Sequence, residues 1–253
     1  MALYNIFFSP TGGTQKAALA LAQGMGEDWK TIDLSLPRVD YSQVALTEED
    51  TAILAVPSFG GLVPQPALAR LGQLRGMGAR AVLLCVYGGR AFEDTLVQLE
   101  DTARAAGFQV VAGAAALAQH SMVHELAAGR PDEKDLAQLR EFGEKIREKI
   151  AAGNVHRPAI PGNRPYKKVK GGCFPPMPGE NCSGCGLCAV RCPVEAISIQ
   201  NPSQVDKTRC ISCLRCAAIC PKSARELDQE HLAVISAMLE PFLKLHQENQ
   251  LFI

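Results

Sequence analysis

The chain has 253 residues, and its 26 basic and 26 acidic residues cancel to a net charge of zero. With 47% hydrophobic and 21% charged residues, the composition is ordinary for a soluble globular protein of one or two domains. The longest fully apolar stretches, such as Val110–Ala118, are far too short to cross a bilayer. We therefore expect no membrane span, and we expect no nucleic-acid partner.

Residues 1–152 alternate short apolar runs with stretches of helical periodicity. The runs predict strands at Ala2–Phe8, Thr51–Val56, Ala79–Val86 and Gln109–Ala114. The periodic stretches predict helices at about Gln15–Met25, Gln65–Leu74, Glu93–Ala106 and Asp132–Ala152. This alternation is typical of an α/β domain with a doubly wound parallel sheet that helices cover on both faces.

The first predicted strand ends in a loop of hydroxyl and glycine residues, and a helix follows at once. Its candidate ligand-binding residues are Ser9, Thr11, Gly12, Gly13 and Thr14. Open α/β sheets bind phosphate in the loop between strand 1 and helix 1, where amides and hydroxyls solvate the anion. The loop lacks the lysine of a Walker motif and the third glycine of a dinucleotide fingerprint. A simple helix cap is the alternative interpretation.

Two further loops follow predicted strands and each combines an aromatic residue with adjacent glycines. The first contains Pro57, Ser58, Phe59, Gly60 and Gly61, and the second contains Tyr87, Gly88, Gly89 and Arg90. Because both leave the carboxyl ends of strands, they should lie on the same side of the sheet as the phosphate loop. Stacking on the aromatic ring and close approach of glycine amides would suit a flat heterocycle.

These three loops together resemble flavodoxin, with its phosphate loop and two loops around the isoalloxazine ring. The resemblance implies bound FMN, with the phosphate on Ser9–Thr14 and the ring between Pro57–Gly61 and Tyr87–Arg90. Free flavodoxins often stack the ring between two aromatics. Here Trp29 lies away from the loops, so Phe59 and Tyr87 are the candidates.

Residues 153–172 form a predicted connector that is rich in proline and glycine. It carries five cations and no acid: Arg157, Arg164, Lys167, Lys168 and Lys170. We expect an extended linker. Its cations either solvate the linker or form a patch that steers an acidic electron donor and stabilises reduced metal clusters.

Residues 173–228 contain two copies of the pattern C-x2-C-x2-C-x3-C-P. The first copy is Cys182, Cys185, Cys188 and Cys192, and the second is Cys210, Cys213, Cys216 and Cys220. A disulfide framework suits a short secreted chain, and zinc sites usually show two CxxC pairs. The runs resemble those of bacterial two-cluster ferredoxins, which implies two [4Fe–4S] clusters. Cys220 then completes the first cluster and Cys192 completes the second.

Two cysteines and the last segment remain. Cys85 lies in an apolar strand and is a predicted core residue, whereas Cys173 is either a bystander or an extra ligand. Residues 229–253 are predicted to form a C-terminal helix, because apolar residues recur at helical spacing between 230 and 246.

The order of the two parts resembles a family of flavodoxin–ferredoxin fusions, sometimes called ferrodoxins. The resemblance implies an electron-transfer protein that works with soluble redox partner proteins in the reducing cytoplasm. The alternative is an FMN-dependent reductase of a small organic substrate or a metal cofactor. In that case Tyr87, Arg90 and His120 are the candidate proton donors or orienting residues.

Overall fold

The computed structural model describes residues 1–168 and 172–253. Its strands are β1 Leu3–Phe7, β2 Lys30–Asp33, β3 Thr51–Pro57, β4 Arg80–Tyr87, β5 Gln109–Leu117, β6 Met177–Pro178, β7 Arg225–Glu226 and β8 Gln250–Phe252. Its α-helices are α1 Gly13–Met25, α2 Gln65–Leu71, α3 Thr95–Ala105, α4 Glu133–Ala151, α5 Leu187–Val190, α6 Arg215–Ala218 and α7 Gln229–Leu239. Short 3₁₀ turns cover Tyr41–Gln43 and Glu240–Phe242.

Six strands form one sheet in the order β2-β1-β3-β4-β5-β8. The first five are parallel, and β8 adds to the edge of β5 in the antiparallel direction. The parallel order 2-1-3-4-5 is that of flavodoxin-like doubly wound sheets. The predicted fold class is therefore confirmed. Strand β8, which comes from the far end of the chain, is an addition that the sequence did not predict.

Helices cover both faces of this sheet, so its central strands are apolar on both sides. Leu83 and Cys85 of β4 face the core under α2 and α3, and the alternate residues Val82 and Leu84 face the core under α1 and α4. The predicted core position of Cys85 is thus confirmed. Helices α1 and α4 touch closely, because a Cβ at Gly24 would stand 1.9 Å from the Arg140 carbonyl oxygen. This contact holds α1, and with it the phosphate loop, against the sheet.

The described part of the linker packs against the α/β domain. Its arginines contact acids at the carboxyl-terminal half of α3, with Arg157 Nη2 2.9 Å and Arg164 Nη2 2.8 Å from Glu100 Oε2. Ile160 packs against the core under α2 and α3. Of the two interpretations of the linker cations, a patch near the clusters does not apply to Arg157, Arg164 and Lys167, which pair with acids of the α/β domain. Lys170 lies outside the described residues.

The C-terminal segment differs from its prediction. The helix that we expected over residues 229–253 ends at Leu239, because Pro241 has no amide proton to continue it. The chain then returns to the α/β domain. Asn249 is buried there, accepts a hydrogen bond from the Leu117 amide at 2.9 Å and donates one to Asp135 at 2.9 Å, which holds β8 in the sheet. No helix in the described ranges is long and apolar enough to span a membrane.

Candidate cofactor sites

The predicted phosphate loop connects β1 to the amino terminus of α1. Gly12 has φ of 96°, a left-handed conformation that favours glycine, and it turns the chain into the helix. Ser9 fixes the loop, because its Oγ accepts the Gln15 amide at 2.9 Å and its amide donates to Ser35 Oγ at 2.6 Å. In the described part of the chain, the amides of Gly13 and Thr14 have no acceptor. These free amides at a helix amino terminus fit a phosphate.

The loop after β3 makes a tight turn at the carboxyl edge of the sheet. Phe59 and Leu62 exchange backbone hydrogen bonds of 2.8 and 3.2 Å around Gly60 and Gly61. Both glycines have positive φ, 60° and 88°, as two-residue turns of this kind require. Ser58 Oγ lies 2.8 Å from Thr95 Oγ1, so this loop is fastened to α3. Phe59 remains partly exposed and available to a planar ligand.

The loop after β4 differs from its prediction at both side chains. The Tyr87 ring is buried in the core, where it meets Phe92 edge to face with ring centroids 5.3 Å apart. Burial raises the pKa of Tyr87 to about 12. Arg90 forms two hydrogen bonds of 3.0 and 2.9 Å with Glu93. Of the two predicted aromatics, Phe59 is therefore the accessible one, and neither Tyr87 nor Arg90 is poised as a proton donor.

His120 lies beside this loop, because a Cβ at Gly88 would stand 2.6 Å from His120 Cδ2. Its Nδ1 accepts the amides of Met122 and Val123 at 3.3 and 3.1 Å. Burial, followed by the nearby His124 and Arg90, lowers the pKa of His120 to about 4. The side chain is therefore a neutral imidazole at pH 7 with its proton on Nε2. The sequence predicted His120 as a candidate proton donor or orienting residue, and the structure places it beside the second ring loop.

The eight run cysteines line two pockets, and each pocket takes three cysteines from one run and one from the other. The outer pocket is lined by Cys182, Cys185, Cys188 and Cys220. The inner pocket is lined by Cys210, Cys213, Cys216 and Cys192. Across the described ranges, no three His, Cys, Asp or Glu side chains are arranged to hold a single metal ion. Each crossed set of four cysteines lines one pocket, and this ligand set fits a cubane cluster.

The two pockets differ in exposure. Cys182 and Cys185 of the outer pocket are exposed, whereas Cys192 and Cys213 of the inner pocket are buried. Burial raises the pKa of the Cys213 thiol to about 12, so metal must displace a firmly held proton there. Backbone amides donate to three of the sulfurs, including Ala196 to Cys192 at 3.3 Å. The Cys173 thiol adds to the effect of burial in raising the pKa of Cys210, which places it beside the inner set.

The inner pocket meets the phosphate loop. Arg215, which lines that pocket between two cysteines, donates from Nη1 to the Ser9 carbonyl at 3.2 Å. Arg70 of α2 donates hydrogen bonds to the carbonyl oxygens of Leu34 and Pro193. Pro193 directly follows Cys192. Ile211 packs against the core of the α/β domain. Sequence reasoning missed Arg215, although an arginine between two cysteines of a run was its signal.

Comparisons with known proteins bear on both parts of the chain. Residues 181–224 match the family model of the 4Fe-4S dicluster domain. A comparison with curated protein sequences gave no match.

Several solved flavodoxin structures are similar to the chain. A flavodoxin from the domain Archaea is 17% identical with a TM-score of 0.41, and the match covers 60% of this chain and 99% of that one. A flavodoxin of Streptococcus pneumonia TIGR4 is 21% identical with a TM-score of 0.41, and the match covers 59% of this chain and 99% of that one. Flavodoxin 1 of Bacillus cereus is 19% identical with a TM-score of 0.43, and the match covers 58% of this chain and 98% of that one.

The dicluster match supports a role in electron transport. The matched segment contains all eight run cysteines. The amino-terminal domain contributes the parallel sheet with its flavodoxin-like strand order. The chain therefore combines an amino-terminal sheet with the strand order of the flavodoxin-like fold and a carboxyl-terminal segment that matches the 4Fe-4S dicluster domain.

Proposed function

We propose that the protein is an electron-transfer flavoprotein that relays low-potential electrons between two [4Fe–4S] clusters and FMN. When bound, each cluster carries one electron at a time and FMN accepts one or two. Full reduction of FMN takes two electrons and two protons. The electrons would come singly from a reduced redox partner protein, and the protons from solvent. Eight cluster thiolates need a reducing compartment, and we therefore place the protein in the cytoplasm.

The observation that carries this proposal is the contact between the inner cysteine pocket and the phosphate loop. The hydrogen bond from Arg215 to the Ser9 carbonyl puts a residue of the inner pocket directly on the loop that would hold FMN. Arg70 makes a second connection, from the strand β2 end to Pro193. A cluster in the inner pocket would thus lie beside the flavin site, and the outer pocket would face solvent.

The residues of the chain have separate tasks in this relay. The amides of Gly13 and Thr14 would bind the phosphate, and the Phe59 loop would pack on the ring. The crossed cysteines would hold each cluster with ligands from both runs, which ties the two loops together. Exposure of Cys182 and Cys185 would let a partner protein approach the outer cluster.

The test is a cofactor analysis and a redox titration of the purified protein under anaerobic conditions. We expect about eight iron and eight sulfide per chain, one FMN, and two distinguishable cluster signals in electron paramagnetic resonance (EPR). One cluster only, FAD in place of FMN, or no flavin would refute the proposal. Reduced protein should pass electrons to a one-electron acceptor protein.

A second candidate function is that of an FMN-dependent reductase of a small organic substrate, and His120 is the observation that favours it. Its neutral imidazole carries a proton on Nε2 and packs against the Gly88 backbone in the second ring loop. Reoxidation of the reduced flavin by small organic acceptors, with a His120→Asn variant much slower, would establish this activity. Turnover with acceptor proteins only, and at the same rate in the variant, would exclude it.

A further inference from the structure

Two arginines of the ferredoxin domain are buried without a carboxylate. Arg215 is 6% exposed and Arg225 is 5% exposed. Neither forms an ion pair with any acid in residues 1–168 or 172–253. The Nε of each is buried and has no hydrogen-bond partner among those residues. Two unpaired guanidinium groups in one small domain call for a physical reason.

Each arginine lines one cysteine pocket. Arg225 lines the outer pocket and donates from Nη2 to Cys188 Sγ at 3.1 Å. The Pro176 carbonyl accepts from Nη1, and the Pro202 carbonyl accepts a second hydrogen bond from Nη2. Arg215 lines the inner pocket, and the Ser9 carbonyl fixes its Nη1. Both guanidinium groups are therefore oriented by backbone carbonyls at the wall of a four-cysteine pocket.

A buried guanidinium needs an anion. It does not lose its proton in proteins, and an unpaired buried charge costs several kcal/mol. Carbonyl oxygens satisfy hydrogen bonds but do not neutralise the charge. Four thiolates around a [4Fe–4S] core make an anion that gains one negative charge on reduction. A fixed cation at the pocket wall therefore favours the reduced state over the oxidised state.

We propose that Arg225 and Arg215 are the counter-cations of the outer and inner clusters, and that each raises the reduction potential of the cluster in its own pocket. This inference deepens the proposed function and rests on it. The linker residues Arg157, Arg164 and Lys167 do not take this part, because they pair with acids of the α/β domain. The hydrogen bond to Ser9 gives Arg215 a second effect, because it connects the inner cluster to the phosphate loop.

The experiment is an EPR-monitored redox titration of the full chain and of charge-removing variants. We expect Arg225→Gln to lower the potential of the outer cluster more than that of the inner one. Arg215→Gln should do the reverse and should also weaken FMN binding. A tenfold change in the reduction equilibrium would appear as a 59 mV shift for a one-electron couple. Arg225→Lys, which keeps a charge, should recover part of the shift.

Arg191→Gln is the matched control, because Arg191 is exposed and directly precedes Cys192. We expect it to leave both potentials unchanged. The inference is overturned if both clusters assemble in the Gln variants with unmoved potentials, or if the control shifts them equally. Absence of clusters from the native protein would instead refute the proposed function.

A measurement on the native sequence keeps the test decisive if a variant fails to assemble its cluster. Protein whose arginines carry ¹⁵N only in the guanidinium group would be reduced and studied by electron–nuclear double resonance, because the backbone amides of Arg215 and Arg225 also bond to cysteine sulfurs. We expect a ¹⁵N hyperfine coupling at both clusters, since the outer pocket holds the Arg225 guanidinium 3.1 Å from a ligand sulfur. Clusters without any such coupling would overturn the inference.

Discussion

At the scale of single residues, Glu93 joins both predicted ring loops and the linker. Its carboxylate bonds to Arg90 in the loop after β4 and to Lys167 in the linker. Hydrogen bonds, first from Arg90 and then from Lys167, lower the pKa of Glu93 despite its partial burial. The Asp94 amide donates to the Gly61 carbonyl at 3.0 Å. The Glu93 carboxylate and the Asp94 amide thus connect three segments around the candidate flavin site.

Gly61→Ala should damage this arrangement. A Cβ at Gly61 would stand 1.8 Å from Glu93 Oε2, and its φ of 88° disfavours a side chain. The variant must either move Glu93 or distort the turn, and we expect it to lose about 2–4 kcal/mol of stability and to bind FMN more weakly. Denaturant titration and flavin binding would measure both effects.

Gly129→Ala is the control for backbone strain. Gly129 also has a positive φ, 72°, but nothing lies within 4 Å of its virtual Cβ. We expect it to cost only about 1–2 kcal/mol and to leave flavin binding unchanged. Equal effects of the two variants on flavin binding would show that Glu93 does not organise the loop.

His120 provides a pH-dependent prediction. Its folded pKa of about 4 lies below the ordinary value of 6.5, so the unfolded chain binds the proton first as the pH falls. The resulting stability is present above pH 6.5 and is lost as the pH falls towards about 4. In ¹⁵N NMR of labelled protein at pH 5.5, we expect His120 as the neutral Nε2–H tautomer. A charged imidazole there, matching a free histidine peptide in the same buffer, would contradict the burial argument.

At the scale of elements, linker residues 157–167, here called the strap, are bound to acids of α3 and of the residues just before it. The Glu100 carboxylate is only 1% exposed and accepts from Arg157 and Arg164, which are about half exposed. The neighbouring Asp101 carboxylate accepts hydrogen bonds from the side chains of Arg164 and Tyr166. Asp94 accepts the backbone amides of Asn163 and Lys167 at 2.8 and 2.7 Å. Residues 157–167 of the predicted extended spacer therefore lie on the surface of the α/β domain.

Removing both arginines should detach this strap. In an Arg157→Gln, Arg164→Gln double variant, Glu100 would stay buried without its cations. We expect a loss of about 3 kcal/mol, the low end for a broken buried pair because the arginines are partly solvated. Lys145→Gln, which breaks the exposed pair with Glu141 at 2.7 Å, should cost about 0.3–0.5 kcal/mol. Similar losses in both variants would mean that the strap adds no stability.

The two cysteine runs are a second pair of elements whose pairing is testable. Cys192 lines the pocket of the second run and Cys220 that of the first. We expect Cys192→Ala to lose the inner cluster first and Cys220→Ala to lose the outer one, as EPR of the reduced variants would show. Loss of the outer cluster from the Cys192 variant would refute the crossed ligation. Cys173→Ser is the control and should keep both signals.

Local patterns predicted the elements well, and long-range contacts account for the differences. Apolar runs and helical spacing gave β1, β3 and β4 to within one or two residues. They could not give β8, because Gln250–Phe252 becomes a strand only by pairing with β5. Likewise, the sequence predicts Tyr87 as an accessible loop aromatic, because it does not reveal that Phe92 packs against the buried ring. The pairing of linker cations with Glu100 and Asp101 joins residues more than fifty positions apart.

At the scale of the whole molecule, the cysteines become less exposed from the outer pocket to the inner one. The outer pocket has exposed cysteines, the inner pocket has buried ones, and Arg215 connects the inner pocket to the phosphate loop. The linker and β8 both return to the α/β domain, so the ferredoxin domain is tied at both ends. In the proposed relay, this arrangement would favour electron entry at the outer cluster and passage through the inner cluster to FMN.

The order of this route can be tested by removing the outer cluster alone. A Cys182→Ala, Cys185→Ala variant should keep the inner cluster and FMN, since neither residue lines the inner pocket. We expect a reduced ferredoxin, used as donor in stopped-flow experiments, to reduce its flavin at least about tenfold more slowly, equivalent to roughly 1.4 kcal/mol of added barrier. Dithionite, a small reductant that does not need a docking surface, should be less affected. An unchanged rate with the protein donor would mean that electrons enter at the inner cluster or at the flavin, and the outer cluster would then lie off the route.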